Sequence, residues 1–253
     1  MTAVKNMDAK AKAAEDARED VSEAKNDVAA KDAKAKVGNE TKNTDLIFVL
    51  DCSGSMSGLE GDTIGGFNAV LKEHKELPGK ATVSTILFNH ETHVLHDRVD
   101  IEKVKLLTGK DYHVGGCTAL LDAVGGAIRH TKMVHGYLPK EYRPEKTIVV
   151  IITDGMENSS KKYSYKDVKR LISKCEEKQS WDFLFLGANI DAAAEAERIG
   201  IAQSHAATYV ADERGTEVVY GAVAAASCAM RDCGTSLSEN WADDIKADHA
   251  ARG

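Results

Sequence analysis

The chain has 253 residues, 33 Lys plus Arg against 40 Asp plus Glu, and a formal net charge of -7. That length can bury a sizeable core, and the acidic balance argues against a general nucleic-acid binder, which neutralises phosphates with clustered cations. Five cysteines, Cys52, Cys117, Cys175, Cys228 and Cys233, form an odd set without CxxC spacing. Such a set points to free thiols in a reducing compartment rather than a disulfide framework. No apolar run approaches the roughly 18 residues of a membrane span, and the N-terminus lacks the apolar segment of a signal peptide, so the expectation is a soluble cytoplasmic protein.

Residues 1–43 are compositionally separate, dominated by Ala, Lys, Asp and Glu. High Ala and alternating charge favour helix, but Val4, Val21, Val28 and Val37 are too sparse for a buried seam, so this is expected as a helical or disordered segment. The run Leu46 to Leu50 is too short for an amphipathic helix and suits a strand covered on both faces. Beyond it, Ile64, Phe67, Val70 and Leu71 recur at helical spacing up to Leu77-Pro78-Gly79. Lys80 to Phe88 and Thr92 to Val99 read as a hairpin turned by Asn89-His90-Glu91, which places one antiparallel strand at the edge of the sheet. A short helix is expected over Ile101 to Leu107.

Leu120 to Gly136 carries the next helical pattern and Thr147 to Ile152 a continuously apolar, central strand. Tyr165 to Cys175 reads as a helix and Trp181 to Leu186 as a strand. Asp191 is placed to N-cap a short Ala-rich helix that closes at Gly200. Ala206 to Val210 and Thr216 to Arg231 supply a last strand and helix, and residues 235–253 read as a polar tail with Trp241 as a docking residue. Strands alternating with helices define a doubly wound, Rossmann-like α/β sandwich, a mostly parallel central sheet with one antiparallel edge strand and helices on both faces.

Chemistry concentrates where strands end. Asp51 follows the first strand and Ser53 and Ser55 lie on the turn after it; Thr118 opens a helix after Gly115-Gly116-Cys117; Asp154 follows the strand Thr147 to Ile152. These are three hydroxyls and two carboxylates at strand-to-helix crossings, the edge where open α/β sheets bind ligands. An oxygen-only set suits magnesium, manganese or calcium, whereas zinc would be expected to recruit Cys or His. Taken singly, Ser after a strand often only caps a helix and Asp often only bonds backbone. The five in order outweigh that bland reading.

The sequence Asp51-x-Ser53-x-Ser55, then Thr118, then Asp154 resembles the metal-ion-dependent adhesion site (MIDAS) of the von Willebrand factor A domain family, over residues 44–234. The resemblance implies that Ser53, Ser55 and Thr118 touch a divalent cation, most simply magnesium, while Asp51 and Asp154 act directly or through water. Neutral hydroxyls leave the cation's charge poorly cancelled, and its open coordination position then accepts an Asp or Glu of a partner protein. Stand-alone bacterial or phage-encoded members are similar in layout, and some serve as adaptors for ring-forming ATPases. The implied function is therefore a metal-dependent protein-interaction module rather than an enzyme.

Adjacent residues form the expected rim: Met56, Ser57 and Leu59 after the first loop, Tyr112 and His113 before the second, and Met156, Glu157 and Asn158 after the third. His90, His93 and His96 suggest zinc, but strand residues three apart point to opposite faces, and exposure on the edge strand is the better reading. The competing function is a magnesium-dependent phosphoryl-transfer hydrolase using Asp51. It is disfavoured because Ser53 stands where enzymes resembling the haloacid dehalogenases carry a second Asp. Nucleotide binding lacks both G-x-G-x-x-G after the first strand and a P-loop.

Overall fold

A computed structural model describes residues 43–252; the charged segment expected over 1–43 lies outside them, apart from Asn43. Six strands are described: β1 (Thr44–Asp51), β2 (Ala81–Phe88), β3 (Thr92–Asp100), β4 (Lys146–Thr153), β5 (Trp181–Ala188) and β6 (Ala206–Tyr209). They form one sheet in the order β3-β2-β1-β4-β5-β6. Every pairing is parallel except β2 with β3. The helices are α1 (Glu60–Glu76), α2 (Leu120–Tyr137), α3 (Tyr165–Gln179), α4 (Ala192–Ile199), α5 (Glu213–Cys233) and α6 (Asp243–Arg252).

Alternation along β1 assigns the two faces. Leu46, Phe48 and Leu50 point into one core layer with α1, α5 and α6, while Ile47 and Val49 point into the other with α2, α3 and α4. Both layers are apolar, which is why β1 and β4 read as unbroken hydrophobic runs rather than alternating ones. In the first layer Phe48 meets Phe67 of α1 edge to face, with ring centroids 5.1 Å apart. No helix among the described residues is long and apolar enough to cross a membrane. All five cysteines are free.

Helix ends follow local chemistry. Ser164 and Asp167 form a reciprocal capping box at α3, Asp191 accepts from the Ala194 N–H at α4, and Gly200 ends α4 in the left-handed region at φ 95°.

Three expectations change. The helix expected over Ile101 to Leu107 is only a single 3-10 turn, Ile101–Lys103: Val104 is extended, and the Asn68 side chain takes both the N–H and the carbonyl of Leu107, at 2.8 and 2.9 Å, which a helix would need for its own bonds. His96 is buried rather than exposed, and its Nδ1 lies 3.1 Å from Thr85 Oγ1. Two irregularities in the β2–β3 register rotate it inward, and Arg98 takes a positive φ of 49° there. Finally, residues 235–253 contain α6 rather than only a polar tail. Trp241, Ala242 and Ile245 join the first core layer, and Trp241 Nε1–H donates to the Ser204 carbonyl at 2.8 Å.

Candidate metal centre

The sheet order reverses between β1 and β4, so the loops leaving their carboxyl ends diverge to opposite faces and open a crevice. Asp51 is the last residue of β1, and Asp154 directly follows Thr153, the last of β4. The third element is the loop entering α2, which carries Thr118.

Backbone bonds tie these loops together. Gly54 N–H donates to the Gly116 carbonyl at 3.0 Å and Gly115 N–H to the Cys52 carbonyl at 2.9 Å, joining the first loop to the second. Asn158 N–H donates to the Thr118 carbonyl at 3.0 Å, and Thr118 N–H returns a bond to Asn158 Oδ1 at 2.9 Å, joining the second to the third. Gly116 holds φ +77°, and a Cβ on it would lie 2.3 Å from the His90 ring, so only glycine fits that turn.

The side chains then converge. Asp51 Oδ1 accepts from the Ser53 N–H at 2.7 Å and its Oδ2 from the Thr153 hydroxyl at 2.5 Å. Ser53 Oγ is 3.1 Å from Ser55 Oγ, and the Ser55 hydroxyl donates to Asp154 Oδ1 at 2.7 Å. A Cβ placed on Gly155 would lie 2.8 Å from Thr118 Oγ1 and 3.6 Å from Ser55 Oγ, so both hydroxyls border the space beside Gly155, next to Asp154. All five oxygen-bearing residues are thus brought to one place.

Burial governs the electrostatics. Asp51 is held almost wholly out of water, which pushes its carboxyl up to about 6; the bonds from Thr153 and Ser53 pull it back only partly, and the nearby Asp154 charge adds to the rise. Asp154 is also raised, chiefly by burial, with the Ser55 bond opposing. Cys52 is pushed up to about 11 by burial and by the Asp51 charge, so it is an inert thiol. Two carboxylates that each resist ionisation, ringed by hydroxyls and without Cys or His, match the donor chemistry of a hard divalent cation. Among the described residues no group of three or more His, Cys, Asp and Glu side chains is arranged to hold a metal, so no softer site competes.

The rim differs from the sequence expectation. Met56, Leu59 and Tyr112 are buried, and the Tyr112 hydroxyl bonds the Asp51 carbonyl. Glu157 is occupied in structure, accepting from the N–H groups of Leu121, Ser159 and Ser160. Ser57, His113 and Met156 do face solvent. Thr153 and Gly155 were not singled out from sequence; their position either side of Asp154 was the available signal.

No protein-family model matches the sequence, and no curated protein sequence matches it. Among solved structures the chain is similar to proximal thread matrix protein 1 from the mussel byssus, at 14% identity and a TM-score of 0.52, over 74% of this chain and 47% of that one. A second structure of that mussel protein, described as having a zinc-occupied MIDAS motif, aligns at 15% identity and a TM-score of 0.50, over 74% and 46% of the two chains. The vWF domain of the type V pili tip protein Mfa5 from Porphyromonas gingivalis aligns at 11% identity and a TM-score of 0.50, over 73% and 95%. The chain therefore spans about half the length of the mussel protein and nearly all of the pilus domain. With its strand order, its single antiparallel edge and these structural likenesses, the chain has the fold of the von Willebrand factor A domains.

Proposed function

We propose that Asp51, Ser53, Ser55, Thr118 and Asp154 hold a divalent cation and that the chain is a metal-dependent protein-interaction module. The observation that carries this reading is the continuous chain from Ser53 Oγ through Ser55 Oγ to Asp154 Oδ1, at 3.1 and 2.7 Å, with Thr118 Oγ1 against Gly155. Magnesium is the favoured ion, with manganese or calcium as alternatives; the zinc reported for the mussel protein's motif supports a divalent ion at such a site without choosing among them.

When bound, the ion supplies a coordination position for an external carboxylate. This chain's residues do the rest. The three hydroxyls contribute oxygen without charge, Asp51 is held in place by Ser53 and Thr153, and the laced loops fix the spacing. The partner contributes an Asp or Glu; a ring-forming ATPase is one partner class that the resemblance offers. The five free thiols support the cytoplasmic location expected from sequence. We also propose that residues 44–234 carry this module, that 1–43 form a separate segment, and that 235–253 complete its edge.

The hydrolase alternative has less support, because Asp51 is 1% exposed and Ser53 stands two residues after it, where enzymes resembling the haloacid dehalogenases carry a second Asp. The test is capture of partners on the full chain in magnesium and in chelator, alongside Asp51→Ala. Partners retained only with magnesium and lost in the variant are expected; identical capture in chelator would overturn the reading.

A further inference from the structure

Six of the sixteen residues from Ser159 to Lys174 are basic and only Asp167 is acidic, in a protein of net charge -7. The local excess is gathered into a feature of the fold. Between α2 and α3 lies a groove of about 410 Å³, lined by the four cations Arg129, Lys162, Arg170 and Lys174, by Tyr163 and Leu171, and by a single carboxylate, Asp167. All four cations are exposed. Arg170 makes a long 3.3 Å contact to Asp167, and among the described residues Arg129, Lys162 and Lys174 form no ion pair. Exposed cations usually spread among acidic neighbours on an acidic surface, whereas these converge on one concavity.

The groove is joined to the metal centre. The segment after Asp154 is strapped onto α2: Glu157 accepts the Leu121 N–H at 2.9 Å, and Asp122 accepts the N–H groups of Lys161, Lys162 and Tyr163 at 2.8–3.0 Å. Gly125 lets the Tyr163 ring lie on the helix, since a Cβ there would sit 2.7 Å from it. One continuous ridge therefore runs from Thr118 to Arg129, a distance of about 15 Å at 1.5 Å per helical residue. That is the reach of about five extended residues.

We propose that this groove is the second contact for an acidic segment of a partner protein, whose leading Asp or Glu takes the metal position and whose further carboxylates lie along Arg129, Lys162, Arg170 and Lys174. The inference rests on the metal reading for its first carboxylate, while the groove stands on its own charge. Compact phosphate recognition does not fit, because backbone N–H donors are used up: those of 161–163 go to Asp122, and Ser164 and Asp167 close the start of α3. Nucleic acid fits less well, since the groove holds one aromatic ring, Tyr163, with one side laid against α2 at Gly125, whereas single-strand binding uses a series of aromatic platforms. What remains is a row of side-chain cations spaced along an open cleft, which matches carboxylates spaced along a peptide.

The test is anisotropy of a fluorescent oligoglutamate peptide with the full chain, in chelator and in magnesium, for wild type, Asp51→Ala and the double variant Arg129→Glu/Lys174→Glu. Circular dichroism confirms that the exposed double variant is folded. In chelator, wild type is expected to bind, to weaken as salt rises, and to exceed the double variant about tenfold or more. Magnesium is expected to tighten wild type and not Asp51→Ala. Binding in chelator that the double variant retains, or no binding in chelator, overturns the groove. Stronger displacement by inorganic phosphate or single-stranded oligonucleotide than by unlabelled oligoglutamate overturns the peptide assignment. If the groove behaves as expected and magnesium changes nothing, the metal reading fails while the groove survives.

Discussion

Asp51→Asn separates the cost of the metal centre from its use. The Asp51 carboxyl is raised from 3.8 to about 6 by burial, roughly two pH units, and each unit corresponds to about 1.4 kcal/mol. Because the folded value lies above the unfolded one, the protonated form is favoured by folding. The associated stability is fully present below pH 3.8 and is lost as pH rises through 6, so at about pH 8 the metal-free protein carries a burden of about 3 kcal/mol. Asn is nearly isosteric: its carbonyl can keep the Ser53 N–H, and its amide can face Thr153 Oγ1. Allowing for weaker neutral bonds, the metal-free variant should be more stable than wild type by roughly 1–3 kcal/mol at about pH 8, an advantage that shrinks toward pH 4. Magnesium at about 100 times its dissociation constant should add about 2.7 kcal/mol to wild type, or about 5–10 °C in Tm, and little to the variant. Chemical denaturation in chelator at several pH values, with thermal scans in magnesium, measures both effects. A metal-free variant less stable than wild type at pH 8, or equal magnesium shifts in the two proteins, would refute the reasoning.

The remaining predictions concern other parts of the molecule. Gly155→Ala places a Cβ 2.8 Å from Thr118 Oγ1 and should weaken magnesium binding about 10-fold or more, read by calorimetry, with a small change in metal-free stability. Phe67→Ala removes the edge-to-face partner of Phe48 from a fully buried site and should cost about 3–5 kcal/mol in urea unfolding. His74 is buried, its Nε2 2.9 Å from Ser227 Oγ, and burial and then the Arg231 charge lower it from 6.5 to about 3. Its folded value lies below the unfolded one, so the unfolded chain binds the extra proton and stability falls as pH drops below 6.5. Relative to His74→Gln, wild type should lose roughly 2–3 kcal/mol between pH 6.5 and 4.5; a pH-independent difference in denaturation midpoints would contradict this. Using the difference cancels Asp51, which acts in the opposite sense over that range.

Much of the architecture was legible because it is locally encoded. The apolar runs at Leu46 to Leu50 and Thr147 to Ile152 could be buried on both faces only as strands, and Asp191 and Gly200 mark the ends of their helix by cap chemistry. Elements whose state depends on distant neighbours were less legible. His96 sits in a strand that alternates toward solvent, yet two register irregularities against β2 turn it inward. Met56, Leu59 and Tyr112 neighbour the site loops in sequence and face the core instead, because loops laced at Gly54–Gly116 and Thr118–Asn158 must rest on something apolar.

From its residues alone the chain determines a doubly wound α/β sandwich and nominates five oxygen-bearing side chains at the carboxyl ends of strands. Periodicity and turn chemistry are properties of short windows, so they survive without knowledge of the whole. The meeting of Asp51, Ser53, Ser55, Thr118 and Asp154, the support from Thr153, the docking of Trp241 and the basic cleft between α2 and α3 were decided by the tertiary structure. Each joins groups far apart along the chain, and only the packed sheet and its crossed loops fix such distances.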